Sequence, residues 1–252
     1  MIRIGLLGCG NIGHIIAQHA RNVKIVALFD KDYERAQDLE RITGAKAFGK
    51  FDSFISEDFD LVVEAASVSA VSMYASQVLD HGKDLVIMSV GALTDPEFRE
   101  RLRESARAHK RRIYVPSGAI FGLDNLKIGR ISKIRKLLLR TVKSPESLGV
   151  EAKERRLIFA GKAHECIKAF PKNVNVSVAM SLAAGKDTDV ELWVDPAVDR
   201  NIHEMIIEGD FGETSIRITN VQSPDNPATS YLAALSILSL LNDLDDPIVV
   251  GT

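Results

Sequence analysis

The sequence predicts an α/β protein in two parts: an N-terminal doubly wound parallel sheet, then a second α+β domain of mostly antiparallel sheet. Three observations carry this. The stretch Gly8-Cys9-Gly10-Asn11-Ile12-Gly13 joins an apolar run to a helix-like segment in a G-x-G-x-x-G spacing. Short apolar runs and amphipathic stretches then alternate as far as Val115, the pattern of a parallel sheet with crossover helices. Beyond Ile131 the pattern turns to longer β-like runs separated by turns and a few helices. A Pro- and Gly-containing stretch, Pro116 to Gly122, separates the two regimes and marks a hinge. The domains are placed at 1–118 and 119–252, with a C-terminal helix over 230–244 as a candidate to pack back on the first.

In order along the chain, Ile2 to Leu7 reads as a buried strand, and a helix begins near Asn11. Val23 to Phe29 is a second strand ending at Asp30, and Tyr33 to Thr43 a helix closed by Gly44. A short helix over Phe51 to Ile55 leads to a strand over Leu61 to Ala66; Ser69 caps a helix running to Asp80. Leu85 to Met88 is the next strand, and Pro96 opens a charged helix up to Lys110. Arg112 to Val115 closes this set. In the second part, strands are expected at Ile134 to Val142, Thr188 to Val194, Met205 to Ile207 and Ser215 to Val221. Helices are expected at Lys162 to Ala169, Val174 to Ala184 and Ser230 to Leu241, after which the chain returns as Ile248 to Val250.

The glycine turn sits where a Rossmann-type dinucleotide site needs it. Gly8 allows a tight turn, Gly10 lets a pyrophosphate approach the backbone, and Gly13 lets the helix pack closely. Asn11 and Ile12 open that helix, whose free N–H groups and positive dipole end suit phosphates. Asp30 is placed to accept from the ribose hydroxyls of an adenosine, which favours NAD; Lys31 beside it leaves NADP as a second cofactor. Small residues at later strand ends, Ala66 with Ser67 and Ser89 with Gly91, leave room for the cofactor.

Of six histidines, His203 stands out, at the entry to a strand of the second domain where it can face the cofactor. An imidazole suits proton transfer near neutrality. Two polar clusters, 170–175 around Asn173 and 224–230 containing Asn226, Thr229 and Ser230, read either as turns with helix caps or as binding groups. In the second reading Asn173 meets the nicotinamide carboxamide or the substrate, and Asn226 to Ser230 a substrate carboxylate.

The bulk composition narrows the classes. A net charge of −2 carries no basic footprint for nucleic acid, and 46% hydrophobic with 26% charged residues is ordinary for a soluble protein. No apolar run approaches a membrane span, and the first strand leaves no room for a signal peptide. Two cysteines, Cys9 and Cys166, argue for a reducing compartment and against a metal site, so the cytoplasm is expected.

Several stretches together resemble the L-aspartate dehydrogenase family: the glycine turn, Pro116-Ser117-Gly118-Ala119-Ile120, Phe170 to Val176, Asn201-Ile202-His203-Glu204 with Gly209-Asp210-Phe211-Gly212, and Asn226 to Ser230. The resemblance covers nearly the whole chain. It implies NAD(P)-dependent oxidation of L-aspartate to iminoaspartate, a place feeding NAD biosynthesis through quinolinate, and a homodimer. It makes His203 the catalytic histidine and Ala119 and Asn173 cofactor contacts; Asn201, Asn226, Thr229 and Ser230 are the expected substrate contacts. One departure is Phe121-Gly122-Leu123-Asp124, where the family more often has smaller residues. The alternatives are a related two-domain reductase of another imine, keto acid or sugar, and a non-catalytic NAD sensor.

Overall fold

The computed structural model describes residues 1–170, 175–223 and 226–251, with the side chains of all but 226–229. The chain divides into two compact units, Met1–Pro116 with Ala234–Val249, and Ser117–Ala233 with the last residues of the chain.

The first unit is a six-stranded sheet, ordered β3-β2-β1-β4-β5-β6 and parallel throughout. Its strands are β1 (Ile2–Leu7), β2 (Val23–Phe29), β3 (Lys46–Phe48), β4 (Leu61–Glu64), β5 (Asp84–Ile87) and β6 (Ile113–Tyr114). The connecting helices are α1 (Asn11–His19), α2 (Tyr33–Thr43), α3 (Phe51–Ile55), α4 (Val68–Asp80) and α5 (Pro96–Ala108). The order reverses between β1 and β4, the switch point at which such sheets bind ligands beyond their carboxyl ends.

One face of this sheet buries Ile4, Leu6, Leu28, Val63 and Val86 under Ile16 of α1 and Leu39 of α2. The same cluster holds Ile237 and Leu241 of the C-terminal helix α10 (Tyr231–Asp243). Most of α10 therefore belongs to the first unit, while its start, including Leu232, packs in the second. Phe29, Phe51, Phe54, Phe59 and Tyr74 form a stacked, tilted and edge-on aromatic cluster, of which Phe29 and Tyr74 also line the cavity at the strand ends.

Several local readings are corrected. The N-cap of α4 is Ser67, whose hydroxyl accepts from the Ala70 N–H, rather than Ser69; the helix thus starts earlier and β4 ends at Glu64. The stretch after β5 winds into a 3-10 turn over Val90–Thr94. The short edge strand β3 carries too few apolar residues to announce itself. Ile248 to Val250, where the chain returns after the last helix, is exposed.

The second unit is a five-stranded sheet ordered β11-β10-β7-β9-β8, in which only the β7–β9 pair is parallel. Its strands are β7 (Ile134–Lys143), β8 (Arg156–Lys162), β9 (Asp189–Val194), β10 (Ile202–Gly209) and β11 (Gly212–Thr219). The β8 strand has four of its seven residues half-buried and no inward alternation to betray it. Short helices α6 (Leu123–Leu126) and α7 (Pro145–Leu148), then α8 (Ala163–Ala169) and α9 (Asn175–Ala184), complete it, with a small ribbon of β12 (Gln222–Ser223) and β13 (Asn226–Ser230).

Period-two alternation sorts the two faces of this sheet. Leu137 and Leu139 of β7, Met205 and Ile207 of β10 and Ile218 of β11 form a core with Met180 and Ala184 of α9. The opposite face is charged: Arg140 pairs with Glu191 and Glu204 across both neighbouring strands, and Arg217 pairs with Glu204.

Candidate functional site

In the first unit, the glycine turn after β1 is built by steric necessity. Gly8 has φ +105, and a Cβ there would lie 2.6 Å from the Ala65 carbonyl oxygen. A Cβ on Gly13 would lie 2.5 Å from the Gly8 oxygen, so α1 sits against the turn only because that residue is glycine. Gly10 differs. Its nearest neighbour is the Arg35 guanidinium at 4.0 Å, so the space above its backbone is open. Asn11 and Ile12 follow as the first turn of α1, whose N–H groups have no intrahelical acceptors by helix geometry.

Asp30 stands at the end of β2 and lines the cavity over the turn, together with Gly8, Gly10, Ala66 and Ser67. Its Oδ2 accepts from the Cys9 N–H at 2.8 Å and its Oδ1 from the Asp32 N–H at 2.9 Å. Each oxygen keeps a further lone pair. Lys31 and Arg35 line the same cavity, so a carboxylate and two cations border one space. The Cys9 side chain is buried and its thiol is pushed up to about 12 by desolvation, then by the charge of Asp30. It fills the turn and carries no thiolate chemistry. A turn shaped by obligatory glycines, an open approach at Gly10, a helix start and a carboxylate at the next strand end fit an adenine dinucleotide.

Glu64 holds the strand ends in place, and sequence patterning gave no sign of it. It is almost fully buried at the end of β4. Its Oε1 accepts from the Ala66 N–H and the Ser89 hydroxyl, its Oε2 from the Met88 and Ser89 N–H groups. Burial raises its carboxyl above the ordinary range, while the donors pull the other way. The Ser89 hydroxyl is thereby spent on Glu64, and Gly91 lies buried in the 3-10 turn; neither is among the residues lining the cavity over the glycine turn. Glu64→Gln would set an amide N–H₂ against groups that donate. The expected cost is about 2 kcal/mol of stability, seen as a lower Tm, together with weaker dinucleotide binding in a titration.

In the second unit, His203 lies on β10 directly opposite Thr141 of β7, and its Nδ1 shares a hydrogen bond of 2.9 Å with Thr141 Oγ1. Lys143 follows two residues along the same face of β7. Thr141, Lys143 and His203 are 2%, 9% and 6% exposed, a polar end on an otherwise apolar inner face. Desolvation lowers the His203 pKa to about 3, and the charge of Lys143 adds to this, so the ring is neutral at any physiological pH. Burial lowers Lys143 to about 8.

A second polar chain runs beside this strand. Ser230 Oγ donates to Asn220 Oδ1 at 2.7 Å, Asn220 Nδ2 donates to the Ala119 oxygen at 3.2 Å, and the Asn220 N–H donates to the Asn201 oxygen at 2.9 Å. Asn220, which the motifs did not single out, therefore gathers three expected site residues around itself. Asn173 lies outside the described residues, as do the side chains of Asn226 and Thr229. Thr141 and Lys143 were legible in principle: they continue the inward register of Leu137 and Leu139. His164 is exposed and pairs with Asp187. Among the described residues no cluster of potential metal ligands occurs, and no helix is long and apolar enough to cross a membrane.

Comparison with known proteins agrees with both halves. Residues 5–116 match the family model described as homoserine dehydrogenase, NAD binding domain, and residues 124–244 that described as aspartate dehydrogenase, C-terminal. The chain is 59% identical to an L-aspartate dehydrogenase of Methanospirillum hungatei over the full length of both. It is 44% identical to that of Methanothermobacter thermautotrophicus, covering all of this chain and 99% of the relative. The crystal structure of aspartate dehydrogenase from Thermotoga maritima superposes with a TM-score of 0.85 at 31% identity, each chain fully covered.

Proposed function

We propose, from the premise that this chain belongs to the L-aspartate dehydrogenase family, that it oxidises L-aspartate to iminoaspartate with NAD or NADP as the oxidant. Full-length identity to L-aspartate dehydrogenases is the observation that carries the substrate. When bound, the nicotinamide supplies the acceptor for the hydride that leaves the substrate Cα. The chain supplies the rest. Gly10 and the start of α1 receive the pyrophosphate, and Asp30 receives the ribose hydroxyls. His203 takes the proton that must leave the substrate ammonium before hydride departs, or activates the water that later hydrolyses the imine. For Nε2 to accept, the ring hydrogen must sit on Nδ1, and the Thr141 hydroxyl oxygen is placed to accept it. Asn201, Asn226, Thr229 and Ser230 are proposed on the substrate side, Ala66, Ser67, Ser89, Gly91, Ala119 and Asn173 on the cofactor side. A homodimer, a cytoplasmic setting and a supply of iminoaspartate to quinolinate synthesis complete the proposal.

A screen of amino and hydroxy acids with NAD, read as appearance of NADH, tests the substrate: L-aspartate should lead, and a better hydroxy acid would refute it. Cofactor choice rests on Asp30 against Lys31 and Arg35. A 2′-phosphate meets the carboxylate of the first and the charges of the others, which predicts NAD preferred with NADP accepted. Asp30→Ser should raise the NADP-to-NAD ratio of kcat/KM by about tenfold, and Arg35→Ala should lower it. An unchanged ratio in both variants would remove these residues from the choice.

A further inference from the structure

We propose that Asn220 is a positioning residue of the reaction: it ties the Ala119 carbonyl, on the cofactor side, to the entry of the strand that carries His203, and so fixes where the nicotinamide stands against the base. This rests on the oxidation of L-aspartate and on the Ala119 cofactor contact proposed above.

The geometry lies wholly within the second unit. Ile202 of β10 pairs with Thr219 of β11, and the next step is the Asn220 N–H donating to the Asn201 oxygen at 2.9 Å. Asn220 therefore continues the alternation of Ile216 and Ile218 on the inner face, where Ile218 stands opposite His203. Its backbone is fastened to the chain two residues before His203. Its side chain reaches a segment 101 residues earlier, with Nδ2 donating to the Ala119 oxygen at 3.2 Å. Residues 117–122 belong to no helix or strand. Ile120, fully buried in the core of this unit, anchors that stretch, and Asn220 orients its carbonyl edge.

The bonds admit one polarity. A carbonyl oxygen only accepts, so the amide nitrogen must face Ala119 and Oδ1 must face Ser230, whose hydroxyl donates at 2.7 Å. Ser230 thereby holds the amide plane against rotation. Asn220 and Ser230 are 3% and 8% exposed, so water does not replace a lost partner. Hydride transfer is sensitive to such a strut, because donor and acceptor carbons must come near contact and a displacement of about 1 Å costs about a hundredfold.

The test uses the full chain in a single turnover, with NAD bound and L-aspartate saturating, and reads the rate constant of NADH formation. Partial unfolding lowers the amplitude of that phase but leaves its rate constant alone. Asn220→Leu, which keeps the size and removes both side-chain bonds, should lower the rate constant about a hundredfold while NADH affinity stays within about threefold. The fluorescence lifetime of bound NADH should shorten as the nicotinamide gains freedom. Asn220→Asp, whose acid form makes the same two bonds, should recover rate over Asn220→Leu as the pH falls. A rate constant and lifetime unchanged in Asn220→Leu would overturn the proposal, as would a loss of amplitude or a rise in KM alone, or no gain from Asn220→Asp at any pH. The two readings separate. If the unaltered protein forms no NADH from L-aspartate yet the lifetime shortens in Asn220→Leu, the positioning of the cofactor stands and the substrate fails. If L-aspartate is oxidised with rate constant and lifetime indifferent to Asn220→Leu, the reaction stands and the positioning fails.

Discussion

Replacing His203 by alanine should lower turnover of L-aspartate by about a thousandfold while leaving NADH affinity nearly unchanged, with a lower thermal transition from the lost buried ring and its bond to Thr141. The size follows from what a positioned base contributes to proton transfer. The specificity follows from placement: His203 belongs to the sheet of the second unit, whereas the glycine turn and Asp30 belong to the first. Because burial holds the ring pKa down at about 3, the base form is present throughout the physiological range. Loss of rate on acidification therefore reports some other group, most simply the substrate ammonium. Thr141→Val, which removes the partner of Nδ1 but keeps the volume, should cost part of the same factor by releasing the ring tautomer. Kinetics on the two variants beside a dinucleotide titration check this. Full activity in the alanine variant would remove His203 from the chemistry.

The second large effect separates two glycines that look alike in the motif. Gly8→Ala should destabilise the first unit by about 3 kcal/mol and abolish dinucleotide binding, because a left-handed backbone and contact with the Ala65 carbonyl both oppose a Cβ. Gly10→Ala should leave the Tm within a degree or two, since nothing presses on that position, yet weaken NAD binding about tenfold or more. Thermal melts and a fluorescence titration with NADH distinguish the two roles. Equal melting of both variants, or unimpaired binding to Gly10→Ala, would show that the open space at Gly10 is not where the pyrophosphate approaches.

The parallel sheet was legible because each β-α unit there obeys one local rule: an apolar run, a glycine or small-residue turn, an amphipathic helix. Boundaries moved where a side chain decided them. Ser67 captured the cap of α4 because its hydroxyl reaches the Ala70 N–H, and the strand before it ends at Glu64, whose carboxylate gathers the following N–H groups. In the second unit the long strands showed through their alternation, but β8, with little inward-facing apolar surface, did not. Within the site, the glycine turn and His203 sit in motifs that sequence reading recognises. Glu64 and Asn220 do not: what they hold together depends on partners such as Ser89, 25 residues on, and Ser230 and Ala119, 10 and 101 residues away, which no local spacing encodes.

Hydride transfer from the substrate Cα is tested most directly with L-aspartate carrying deuterium at that carbon. Incubated with this protein and NAD, it should yield reduced dinucleotide containing one deuterium per molecule by mass spectrometry, with an equal amount of product derived from iminoaspartate. Reduced dinucleotide lacking the label, or none formed while NAD is bound, would contradict the assignment of this chain as a dehydrogenase of L-aspartate.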